Sequence, residues 1–277
     1  MADIFITDLD KTFLKNDLHV GEFSKEVWNT LAQKGVPLGI ATARSLKKSL
    51  EFLQGLRLDT PLIVLDGAMV VTKDAKPIRI HALNSSLSGE IIETGRKLLE
   101  IEPFIVGFEK EHTQERFLYP KCLNPFQKEL VSSYANDSRL RATGNLQPMQ
   151  NNLKIVYMGT KEQMQILEQE LQKRYADAIE IKNSPDVYFD CWFLTVLHPK
   201  GDKAHALEDV ASYMQKDIDN ITVFGDSLND LGMFAKAGRS VAVKNAHERV
   251  KESADVVLEK TNDEEAVAHY LRDVIPL

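Results

Sequence analysis

Asp8-Leu9-Asp10-Lys11-Thr12 sets two carboxylates two residues apart, directly after the apolar run Ile4-Phe5-Ile6. Such a run reads as a buried strand emerging into a loop, and open α/β sheets bind their ligands at that carboxyl edge. Residues two apart on an extended backbone point the same way, so both side chains can face one pocket. Two carboxylates so close resist ionising together unless a cation or a proton lies between them. The pair suits a divalent metal, a nucleophile with an acid/base partner, or both; a strand-end turn is the structural alternative.

Three further polar stations stand where they could share that pocket. Thr42-Ala43-Arg44 follow Gly39-Ile40-Ala41, and Gly225-Asp226-Ser227-Leu228-Asn229-Asp230 follow the apolar run 221–224. Gly201-Asp202-Lys203 opens a helix-like segment. Strand ends cluster in a doubly wound sheet, so residues over two hundred positions apart can line one crevice. Together the stations meet the needs of phosphoryl transfer, which must neutralise spreading negative charge and hold the reacting groups in line. Asp8 and Asp226 offer oxygen donors to Mg²⁺, with Asp230 nearby to hold a coordinated water. Thr42, Lys203 and Asn229 can hold phosphate oxygens, and an Asp carboxylate can form an aspartyl-phosphate. Each has a plainer alternative: Thr42 as a helix cap, Arg44 as an ion-pair partner, Lys203 as a surface lysine, Gly225-Asp226 as a tight turn. The four together favour a site.

The elements that must position these residues follow from periodicity. Strands are predicted at 4–7, 36–41 and 62–65, with helices at 24–34 and 45–53 between them. The last third resumes the alternation, with helices at 203–215 and 228–236, strands at 221–224, 241–243 and 256–258, and a closing helix through Val267, Tyr270, Leu271 and Val274. This is an α/β pattern with a doubly wound, mostly parallel sheet. The middle differs, with longer and more aromatic strands at 104–108, 116–119, 154–158 and 188–197 and helices near 90–100 and 161–174. It reads as an inserted α+β domain over 84–199, leaving a discontinuous core of 1–83 and 200–277.

With 277 residues the chain can bury a full core, and its formal charge of −7 argues against a nucleic-acid partner. Cys122 and Cys191 lack metal-ligand spacing and are too few for a disulfide scaffold. The first residues are not expected to be a signal peptide, and no stretch nears the roughly 20 apolar residues a bilayer span needs. The cytoplasm is the expected compartment.

The four stations resemble the motifs of the haloacid dehalogenase (HAD) superfamily: Asp8 to Thr12 its DxDx[TV] motif, Thr42 the second, Lys203 the third, Gly225 to Asp230 the fourth. The long insert resembles the type IIB cap of the Cof-like phosphatases, and the segment from Val243 through Asp255 is similar to that subfamily. The resemblance implies a HAD core, with Asp8 as nucleophile and metal ligand and Asp10 as acid/base residue that binds metal through its backbone carbonyl. It implies phosphate binding by Thr42, Lys203 and Asn229, and Mg²⁺ held by Asp226 with support from Asp230. Two departures stand out: Asp66 precedes Gly67-Ala68 where Asn is frequent, and Ala43 stands where Gly is common. The expected activity is Mg²⁺-dependent hydrolysis of small phosphorylated metabolites, sugar phosphates among them, with no nucleic-acid or membrane partner. A phosphomutase and a non-catalytic phosphate sensor are the alternatives. The former calls for more basic residues in the insert, where Lys110, Arg116, Lys121, Arg139 and Arg141 read as a scattered, solvated set. His112, Tyr119, Tyr157 and Tyr188 are candidate pocket residues of the insert or ordinary sheet packing.

Overall fold

Ile4-Phe5-Ile6-Thr7 is buried along its whole length, as a strand covered on both faces must be. It begins the first of two compact units, residues 1–80 with 202–277, in a computed structural model that describes residues 4–110, 115–186 and 189–275. The first limb of this unit runs β1 (Ile4–Thr7), α1 (Glu22–Gln33), β2 (Leu38–Ala41), α2 (Leu46–Phe52), β3 (Leu62–Val64), β4 (Met69–Val71) and β5 (Pro77–Ile80). The second unit, 81–201, holds β6 (Leu83–Asn84), α3 (Ser85–Leu99), β7 (Phe104–Phe108), β8 (Arg116–Pro120) and α4 (Pro125–Ser133). It continues with β9 (Leu140–Thr143), β10 (Asn151–Gly159), α5 (Lys161–Tyr175), β11 (Glu180–Asp186) and β12 (Cys191–Leu197). The return limb of the first unit is α6 (Lys203–Tyr213), β13 (Ile221–Gly225), α7 (Leu231–Lys236), β14 (Arg239–Ala242), α8 (Glu248–Ser253), β15 (Val256–Val257) and α9 (Ala266–Val274).

Among the described residues the first unit carries an eight-stranded sheet in the order β15-β14-β13-β1-β2-β3-β4-β5. From β15 to β3 neighbouring strands are parallel; β3-β4 and β4-β5 are antiparallel. Strand order reverses at β1, which pairs Thr7 with Phe224 of β13 on one side and with Ile40 of β2 on the other. The ends of these three strands therefore lie side by side, at the kind of switch point where α/β sheets bind ligands.

The antiparallel hairpin was not expected. Its signal is in the sequence: Asp66-Gly67 between the apolar runs Leu62–Val64 and Met69–Val71 is a hairpin turn pattern. The helix expected from Leu228 starts as α7 at Leu231. The preceding turn is tied down because Asp230 Oδ2 accepts from the backbone N–H groups of Asp226 and Ser227, at 3.0 Å each.

The second unit has a sheet ordered β11-β12-β10-β7-β8-β9, antiparallel except between β8 and β9. Ile91 and Ile92 of α3 with Met164, Leu167 and Leu171 of α5 pack on Ile105, Ile155, Leu194 and Val196. Tyr157 belongs to this core: its hydroxyl donates to the Ile91 carbonyl at 2.8 Å, and a Cβ on Gly95 would lie 2.3 Å from its ring. Tyr157 is packing, Tyr119 is half-buried in β8, and His112 and Tyr188 lie outside the described residues. Arg139 corrects the solvated-surface expectation. It is buried in β8's neighbourhood, giving a two-nitrogen fork to Asp137 and a further bond to Glu115. Cys122 is exposed, Cys191 is buried, and both are free thiols.

Candidate active site

Asp8 is the first residue beyond β1, and its N–H donates to the Phe224 carbonyl of β13 at 3.0 Å. The chain then leaves the sheet in an irregular turn, Leu9–Phe13, closed by the Leu14 N–H on the Leu9 carbonyl at 2.8 Å. Lys11 takes a left-handed conformation there, and its carbonyl accepts from Asn245 Nδ2 at 2.8 Å. Thr12, buried, donates its hydroxyl to Asp226 Oδ1 at 3.0 Å, which couples the first motif to the fourth. No role for Thr12 or Asn245 was expected from the sequence.

Lys203, the first residue of α6, is fully buried. Its Nζ donates to Asp8 Oδ1 at 2.5 Å and to Asp230 Oδ1 at 2.7 Å. Asp8, Asp226 and Asp230 each present a carboxylate oxygen within 4.8 Å of the others. The structure thus gathers Asp8, Lys203, Asp226 and Asp230 into one buried cluster. Asp10 is paired outside this group: both its oxygens accept from Arg44, from Nε at 2.7 Å and from a terminal nitrogen at 2.5 Å. Arg44 also stacks over the Phe52 ring, 4.7 Å from its centre.

Thr42 is completely buried at the end of β2 and does not cap α2; Ser45 does that, accepting from the Lys48 N–H. The Thr42 hydroxyl oxygen instead accepts from the Arg44 N–H at 3.2 Å. Asn229, in the turn before α7, has a buried side-chain oxygen with no hydrogen-bond partner among the described residues.

Burial pushes the Asp8 carboxyl well above the usual range; Lys203 pulls it back, while Asp230, Asp226 and Asp10 add to the rise. Asp226 is pushed up to about 7, by burial first and then by Asp230. Burial works against the charge on Lys203, but Asp230 and Asp8 outweigh it and hold the ammonium above its ordinary range. Negative charge is in surplus here, and bringing a cation close is the direct way to relieve it. The donors are all carboxylate oxygens, the set that suits hard divalent ions such as Mg²⁺.

A mixed α/β unit with an acidic cluster at its sheet's carboxyl edge, interrupted by a smaller α+β unit, has a clear family. The sequence profile of the haloacid dehalogenase-like hydrolases matches residues 5–271, and the chain belongs to that family, in its Cof-type branch. Among curated proteins it is similar to the 5-amino-6-(5-phospho-D-ribitylamino)uracil phosphatase YcsE of Bacillus subtilis, 23% identical over 96% of this chain and 92% of that protein. The phosphoglycolate phosphatase of Methanopyrus kandleri is 24% identical over 99% of this chain and 98% of its own. Among solved structures, a Eubacterium rectale protein matches with a TM-score of 0.82 at 18% identity, covering 99% of each chain. A Thermotoga maritima protein matches at 0.80 with 25% identity, covering 100% of this chain and 99% of its own. No helix among the described residues is long and apolar enough to cross a membrane.

Proposed function

We propose that this protein is a Mg²⁺-dependent phosphatase of small phosphorylated metabolites, sugar phosphates among them, working through an aspartyl-phosphate on Asp8. That it is a phosphoric monoester hydrolase follows from its family and from phosphatase relatives aligned over nearly its whole length. The observation that carries the mechanism is Lys203 Nζ bonded to Asp8 and Asp230, with Asp226 beside them at the β1/β13 edge.

Asp8 is the nucleophile. Its free carboxylate oxygen attacks phosphorus as the ester P–O bond breaks, and a protonated Asp10 gives its proton to the departing oxygen. For that, one oxygen of Asp10 must leave the Arg44 fork. In the second half Asp10 takes a proton from water, whose oxygen attacks the phosphorus of the aspartyl-phosphate, releasing inorganic phosphate and the Asp8 carboxylate. Lys203, Thr42 and the Asn229 side chain hold the phosphate oxygens through both halves. Asp8, Asp226, Asp230 and the Asp10 carbonyl would hold Mg²⁺, which supplies a positive charge beside the developing negative charge.

The 81–201 unit is inserted between β5 and α6, whose first residue is Lys203. We assign it the role of a cap that reads the leaving group. Arg139 is already committed to Asp137 and Glu115, which lowers the supply of cap cations a phosphomutase would use for a second phosphate.

Phosphate release from a panel of monoesters, with Mg²⁺ and with EDTA, tests the assignment. Turnover is expected with Mg²⁺, little with EDTA, and suppression by excess Ca²⁺, whose longer bonds and higher coordination spoil the in-line geometry. Full activity in EDTA contradicts it. Binding of monoesters with no phosphate released marks a sensor instead.

A further inference from the structure

Leu65, Asp66 and Gly67 follow one another with φ of 54°, 63° and 112°, three consecutive residues in the left-handed region. Hairpin turns usually give such positions to Gly, Asn or Asp, and a bulky Leu there persists only where its surroundings hold it. Leu65 and Asp66 are both buried, although turns normally run over the surface.

The backbone contacts of this turn reach the second and third motifs at once. The Leu65 N–H donates to the Arg44 carbonyl at 2.9 Å, and the Asp66 N–H to the Thr42 carbonyl at 3.0 Å. On its other side Gly67 forms a lone antiparallel bridge with Asp202. A Cβ at Gly67 would lie 2.1 Å from the Asp202 carbonyl oxygen and 2.7 Å from the Lys203 nitrogen, so only glycine allows this approach. Residues 42 and 203 sit on separate elements, the end of β2 and the start of α6, and this turn bonds or abuts the backbone at both.

We infer that the Leu65–Gly67 turn is a positioning brace that sets Thr42 and Lys203 in one frame, so that both grip the same phosphate. The inference rests on the phosphatase function proposed above. A turn that only joined β3 to β4 would need neither the buried strain nor the packing of Gly67 on Asp202.

The test compares full-length Gly67→Ala, Asp66→Ala and Asp66→Asn with Gly35→Ala. Gly35 is also left-handed, at φ 80°, but a Cβ there meets nothing within 4 Å, so it reports strain alone. Readouts are thermal midpoint, kcat/KM across several monoesters, and inhibition by orthovanadate, which mimics the transferring phosphate. Gly67→Ala is expected to lower kcat/KM for every monoester by one common factor, about 100-fold, as ångström-scale misplacement does. Orthovanadate inhibition should weaken with it. Asp66→Ala should move the same way and carries the test if Gly67→Ala does not fold; Asp66→Asn, which tolerates the left-handed region, should restore function. Gly35→Ala should lose thermal stability only. The brace is overturned if folded Gly67→Ala or Asp66→Ala loses stability but keeps wild-type kcat/KM and orthovanadate inhibition. That outcome, with Asp8→Asn still inactive, leaves the phosphatase mechanism standing; an active Asp8→Asn removes the mechanism itself.

Discussion

Each unit of this protein buries a cation between two carboxylates, and the two cases differ in what stands next to them. In the second unit Arg139 forks onto Asp137 and also bonds Glu115. In the first, Lys203 bonds Asp8 and Asp230, but Asp226 crowds the same space and Asp10 lies two residues along. The planar guanidinium matches its carboxylate edge to edge, whereas the ammonium is a point charge in an acidic cluster that exceeds it. The surplus shows in the protonation energetics, since Asp8 and Asp226 are both driven upward. The Arg139 set has one carboxylate more than its cation and the Lys203 set has two more, and the larger deficit is the one that calls for a cation that arrives.

The largest effects on stability should come from removing the two cations. Lys203→Met leaves two buried carboxylates without their partner, a loss of about 3–5 kcal/mol in metal-free protein, and removes the proposed phosphate contact, so kcat should fall by about 100-fold or more. Arg139→Met should cost a similar ~3–5 kcal/mol but leave kcat and Mg²⁺ dependence within a few-fold of wild type. Chemical denaturation beside steady-state kinetics checks both. Equal kinetic damage from the two variants erases the distinction between the clusters.

Much of this was legible in the sequence where local pattern and final environment agree. The apolar runs at β1, β2 and β13 are buried strands, and the polar residues after each do emerge at neighbouring sheet ends. The plainer alternative for Arg44, an ion pair, is the one the structure shows, with Asp10 as its partner. What escaped depended on pairings that span the chain: Thr12 on Asp226, Asn245 on the Lys11 carbonyl, and the bridge from Gly67 to Asp202. Such contacts have no local period to betray them. α4 was missed for another reason, since Asn124-Pro125 with Gln127 carries a capping box and an N1 proline that are readable in the sequence.

A smaller effect sharpens the comparison through pH. In the metal-free fold Asp226 is raised to about 7 from an unfolded value near ~4, so its favourable contribution is complete below that unfolded value and is lost as pH rises through about 7. On the proposed function Mg²⁺ would bind the ionised cluster, so its stabilising effect should grow from pH 6 to pH 8. Thermal melts with and without Mg²⁺ across that range provide the check; an increment that shrinks with pH is the contrary result. Arg139→Met should not alter the trend.

The central claim is that the cluster around Asp8 exists to make and break a bond to phosphorus. Its most direct test is acid quenching during turnover with Mg²⁺, followed by peptide mapping by mass spectrometry. We predict one phosphoryl group on the peptide containing Asp8, lost when substrate is exhausted, and neither phosphoryl group nor turnover in well-folded Asp8→Asn. Substantial phosphatase activity in Asp8→Asn, or a phosphoryl group carried on another residue at full turnover, contradicts the account.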